Sequence, residues 1–131
     1  MRRRDLRSRG RGHEQGGVAA VEFAVMLPLL VVLVFGIIEF GLVFNTQLSL
    51  TGAAREGARV MAIHNDQTAA IDATQSSASM NPAPTVTVNP APCTRGDQVT
   101  VRAEREFTVR IPFFNGPTPN LAGEGVMRCG G

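Results

Sequence analysis

Two constellations in this sequence have residue types and spacing that could do chemistry. The first is Gly16-Gly17 followed by Val18, with Glu22 four residues beyond Val18 and Phe23 next to it. A cut after Gly17 would create an amine at Val18, and an amine with a reference pKa near ~8 could pair with a carboxylate at i,i+4 or with one on a neighbouring subunit. The second is Cys93 and Cys129, the only cysteines, which bracket 35 residues. In an oxidising compartment such a pair is expected to form a disulfide, and closing a loop of that size contributes roughly 4 kcal/mol on the chain-entropy model. A two-cysteine metal site would lack supporting ligands. His13 and His64 stand apart from the cysteines and from any candidate nucleophile, and no glycine-rich phosphate loop or paired-carboxylate pocket is visible. The expectation is a protein that is not an enzyme, with no catalytic residue, no cofactor and no metal.

The element that must hold Glu22 is an apolar run. From Val18 to Ile38 the chain has one ionisable residue in 21, and at ~1.5 Å per residue this covers roughly 31 Å, the thickness of a bilayer core. A lone segment in lipid can satisfy its backbone only as a helix. Pro28 removes one of those hydrogen bonds. Glu22 is then costly inside the apolar run unless it finds a partner, or unless the span starts at Phe23 and ends near Phe44, leaving Glu22 among the headgroups.

Charge gives the span a direction. Residues 1–17 hold six Arg against Asp5 and Glu14, a net +4, whereas residues 18–131 hold seven Arg against nine acids, a net −2. A basic leader beside a span stays in the cytoplasm, so the rest is expected outside. All 13 basic residues are Arg, and with neither Trp nor Tyr there is no aromatic platform for nucleic acid. A cleaved secretory signal would need a shorter apolar stretch and a small-residue site, which Glu39-Phe40-Gly41 does not provide.

Gly17 with Val18-Ala19-Ala20-Val21-Glu22-Phe23 resembles the prepilin-peptidase site of Flp/Tad pilins. The longer stretch GVAAVEFAVMLPLLVVLVFGIIEFG, followed by LTGAAREGARVMA, resembles the TadE-like pilus-assembly proteins, or TadE minor pseudopilins. That resemblance implies an anchor in the bacterial cytoplasmic membrane and processing between Gly17 and Val18 by a prepilin peptidase. It also implies Glu22 and Phe23 as assembly residues, with other pilins or pseudopilins and the Tad assembly platform as partners. The alternative is an uncleaved, signal-anchored envelope protein with a small exterior binding domain.

Beyond the span, Phe40, Phe44, Leu48, Thr51, Ala54, Ala58 and Ala62 recur at three- and four-residue steps, so the helix is expected to continue outside. Its small residues, including Ala53, Gly57 and the row Ala54, Ala58 and Ala62, suit close packing against neighbouring helices, cover for the chain's own sheet, or both. Asn65 or Asp66 caps a second helix from Thr68 to Thr74, and residues 76–84 read as a linker. Alternation predicts strands at Thr85–Asn89, at Gln98–Glu104 continuing as Phe107–Ile111, and at an edge, Gly125–Cys129. Arg102, Glu104 and Glu106 fall on a solvent face. The expected fold is α+β: a leader (1–17), a transmembrane helix extended outside (18–64), and a small antiparallel β domain (65–131).

Overall fold

The computed structural model describes residues 12–111 and 114–130, with side chains from 17 to 111 and from 116 to 130. The arginines of the leader lie outside the described residues. The architecture is α+β as expected, with one long apolar helix followed by a small antiparallel sheet.

Helix α1 runs from Gly12 to His64, 53 residues, or about 80 Å at ~1.5 Å per residue. It begins before Val18, where the apolar run starts, because helix propagates easily from an established segment and two glycines cost only about 1 kcal/mol each. Pro28 lies within it. The helix stops at Asn65, whose φ of 51° is left-handed and whose N–H donates to the Met61 carbonyl at 2.9 Å.

Asp66, not Asn65, caps helix α2, Gln67–Ala78, its carboxylate accepting from the N–H groups of Thr68 (2.9 Å) and Ala69 (3.1 Å). This helix passes through the first residues of the stretch read as a linker. Ala70, Thr74 and Ala78 recur every four residues and are buried, while the intervening serines face outward, Ser76 Oγ donating to the Asp72 carbonyl at 2.7 Å. A serine-rich composition hid one apolar stripe. The other end of the expected linker, Pro84, is also fully buried.

Strands β1 (Thr85–Asn89), β2 (Gln98–Glu106) and β5 (Asn120–Arg128) form the sheet in the order β1-β2-β5, both pairs antiparallel. A separate pair, β3 (Arg110–Ile111) and β4 (Phe114–Asn115), lies between β2 and β5 in sequence. The expected Phe107–Ile111 strand is therefore broken, with only Arg110 and Ile111 in a ladder. Phe107 and Val109 donate to the carbonyls of Pro119 and Pro117 at 3.0 and 3.3 Å. Neither proline has an N–H to return the bond, so the regular ladder fails there. The last strand begins at Asn120 and not at Gly125.

The inner sheet face carries Val99, Val101 and Ala103, all fully buried, together with Val88. They pack against Ala58 and Met61 of α1 and Ala70 of α2, with Leu50 and Ala54 forming a second cluster around Ala103. Backbones come unusually close where glycine permits. A Cβ at Gly123 would overlap the Leu50 carbonyl and Thr51 N, one at Gly125 the Ala54 carbonyl, and one at Gly57 the Thr74 hydroxyl of α2. Ala53, Ala54, Gly57 and Ala58 are thus buried within the chain, which decides between the two uses the sequence allowed for them.

Candidate functional site

The residues singled out for chemistry separate into two places. Gly17, Val18, Glu22 and Phe23 lie on the first turns of α1, whereas Cys93 and Cys129 lie at the far end of the β domain.

None of residues 17–49 is buried by the rest of the chain. Val18 is 61% exposed and Phe23 62%, and Gly17 has open space where a Cβ would be. Glu22 is exposed and sits one helical turn from Val18, so both are on one face of α1. Among the described residues of the single chain, these four meet nothing outside their own helix turns.

The exposure is too expensive for water. From Val18 to Leu48 the helix displays a continuous series of exposed Val, Leu, Ile, Met and Phe side chains. At about 1.5–3 kcal/mol for each large apolar side chain, the sum exceeds the ~5–15 kcal/mol that holds a small domain folded. Lipid removes that cost, and this helix is long and apolar enough to cross a membrane while none of its most apolar window is buried. The protein is membrane-anchored through α1.

Two acids bound the most apolar stretch. Glu22 and Glu39 are 17 positions apart on one helix, about 26 Å along its axis at ~1.5 Å per residue, against a hydrocarbon core of about 30 Å. An untilted helix therefore brings at least one of the two carboxylates to the edge of the hydrocarbon or inside it.

At the other end, Cys93 and Cys129 form a disulfide with a Cα–Cα distance of 5.8 Å. The bridge joins the β1–β2 connection to the end of β5, and both segments hydrogen-bond to the tip of α1. The Cys93 N–H donates to Asn65 Oδ1 at 2.6 Å, and the Gly130 N–H donates to the Ala62 carbonyl at 3.1 Å. Beside it, the Cys129 N–H donates to the Asp97 carbonyl at 2.8 Å, and the Gly96 N–H to the Cys129 carbonyl at 3.0 Å. One carbonyl orphaned at the end of α1, that of Ala62, is thereby satisfied by the segment next to the disulfide.

The outer sheet face is polar. Arg102 donates through Nη1 to Glu124 Oε1 at 2.6 Å and through Nε to Glu104 Oε1. The hydrogen bond to Glu104, then that to Glu124, raises the guanidinium pKa above its ordinary value, so this cation does not titrate. Both Glu104 and Glu124 thus serve a surface ion-pair network. Among the described residues, no group of three His, Cys, Asp or Glu side chains is placed to hold a metal ion.

Sequence reasoning missed the glycine dock. Gly123 and Gly125 alternate on one strand face, and that spacing signals a close backbone approach. It also missed Gln47, whose side-chain amide donates to the Ala122 carbonyl and ties β5 to the helix.

No curated protein and no solved structure matches the chain. Residues 17–59, from the candidate cleavage glycine to the part of α1 that the sheet covers, match the sequence model of the TadE-like proteins, and over that segment the chain is similar to that family.

Proposed function

We propose that the protein is a TadE-like minor pseudopilin or pilus-assembly component of a Tad/Flp-type pilus or secretion system, acting structurally and not as an enzyme. The observation that carries this reading is the family match over residues 17–59, which coincides with the exposed half of α1 and its junction with the domain. The basic leader stays in the cytoplasm and the β domain lies outside the bacterial cytoplasmic membrane, an orientation supported by the charge asymmetry and by the Cys93–Cys129 disulfide. A prepilin peptidase cuts between Gly17 and Val18, and the new amine pairs with Glu22 on the same helix or on a neighbour. Other pilins or pseudopilins and the assembly platform then pack against the exposed helix. No nucleic acid and no cofactor takes part.

Mass spectrometry of the membrane-extracted protein, produced with and without a prepilin peptidase, tests the processing step. The expected result is a chain beginning at Val18 only when the peptidase is present; an intact leader under both conditions rejects processing. Glu22→Ala is expected to leave membrane insertion unchanged and to reduce co-purification with pilin subunits, and unchanged co-purification would remove the assembly role of Glu22.

One observation favours the runner-up, an uncleaved signal-anchored envelope protein with an exterior binding domain. The helical backbone is continuous from Gly12 through Gly17, so a peptidase would have to unwind the site before cutting. The same mass measurement separates the two.

A further inference from the structure

The antiparallel arm made by β2 and β5 does not end at Glu106 and Asn120. Residues 107–109 run against 117–119 through the bonds from Phe107 to Pro119 and from Val109 to Pro117, and beyond them Arg110 pairs with Asn115 and Ile111 with Phe114. Its direction follows from β5, which runs alongside α1 in the same sense. Ala122 is held by Gln47, Gly123 lies on Leu50, Gly125 on Ala54, and Gly130 on Ala62. Moving backward along β5 therefore means moving down α1 toward the membrane span, and β3 still touches α1.

Reach decides how far the arm can go. From Ala122 back to Asn115 the chain can cover about 23 Å at ~3.3 Å per residue. From Gln47 back to Glu39 the helix covers only about 12 Å at ~1.5 Å per residue. About half the available reach brings the arm level with Glu39, where the apolar span ends. Phe107, Val109 and Ile111 are half-buried and alternate with exposed Thr108 and Arg110. The domain's own core stops higher, at Leu50, Ala103 and Leu121, and on this stretch of α1 Phe40 and Phe44 remain 73% and 58% exposed.

We propose that this arm, residues 107–111 and 114–119, is a second membrane contact, docking at the boundary between headgroups and acyl chains of the leaflet on the domain's side. The occupant is lipid because the arm is continuous with the lipid-covered face of α1. Phe107, Val109 and Ile111 supply apolar contact, and Arg110 keeps its charged head in the headgroup layer. Arg102, Arg105 and Arg110 are matched in number by Glu104, Glu106 and Glu124, so docking does not depend on anionic lipid. Two points of attachment, span and arm, fix the tilt of the β domain on the membrane. The inference rests on membrane anchoring by α1 but not on processing or on pilus assembly.

The chain contains no Trp, so one introduced Trp reports alone. The full chain is placed in phosphatidylcholine vesicles with and without bromine at the headgroup end of the acyl chains. Ile111→Trp is expected to lose most of its fluorescence in the brominated lipid, and the conservative Phe107→Trp to lose less, being farther from the tip. Leu30→Trp, at mid-span, is read in vesicles brominated near the methyl ends of the acyl chains and reports on the anchor, and Thr94→Trp, beside the disulfide, stays unquenched in both. Quenching at Leu30→Trp with none at Ile111→Trp or Phe107→Trp overturns the docking and leaves the anchor standing. No quenching at Leu30→Trp overturns both. Quenching of the arm that requires anionic lipid overturns the apolar mode of docking.

Discussion

The two halves of α1 obey different rules although they are one helix. Below Gln47 the side chains are large, apolar and exposed; from Leu50 to Met61 the buried positions are mostly small and touch the sheet and α2. In the lower half, burial is supplied by lipid, so any apolar residue of similar size serves. In the upper half, burial is supplied by a fixed surface at backbone contact, so size is dictated atom by atom. One helix thus satisfies two solvents, and the transition is marked by the bond from Gln47 to Ala122.

The sharpest way to break this contrast is at the disulfide. Replacing Cys93 and Cys129 together by Ser should destabilise the β domain by about 4 kcal/mol, read by denaturant unfolding in detergent, with helix insertion unaffected. Next, Gly125→Leu forces a side chain into the Ala54 backbone and should cost about 3 kcal/mol or undock the sheet, seen as protease cleavage within residues 65–130. Leu50→Ala removes a fully buried side chain of the upper half and is expected to cost about 3 kcal/mol. The matching change in the lower half, Leu30→Ala, should alter domain stability by less than about 0.5 kcal/mol; comparable losses at the two sites would erase the distinction. Between these two lies Asn65→Ala, expected to cost about 1 kcal/mol from the lost bond to the Cys93 N–H.

Legibility followed the same division. The span from Val18 to Ile38 was readable because lipid imposes a uniform demand that composition alone can meet. The cysteine pair was readable because only one pairing exists. Strand β1 at Thr85–Asn89 was readable by alternation, and its edges agree with the observed strand. Helix α2 was underestimated because Ala70, Thr74 and Ala78 are weakly apolar, and their stripe becomes visible only against α1. Phe107–Ile111 alternates as a strand would, yet the prolines of the facing segment withhold the partner bonds. Strand β5 was cut short at Gly125 because Gly123, one register position earlier on the same face, looks like a strand breaker until the helix that needs it is in place.

The sequence by itself determined that this chain carries a membrane helix with an acid at its start, a single possible disulfide and an alternating β region, because hydropathy, cysteine count and period are local properties. Only the tertiary structure decided that the small residues of α1 serve the chain's own sheet, that Gly123 and Gly125 form the dock, and that the arm beyond Glu106 runs back toward the membrane. Those outcomes depend on which backbones approach each other across 70 or so residues of intervening chain, from Leu50 to Gly123, and loop closure over that distance is fixed by packing and not by any local preference.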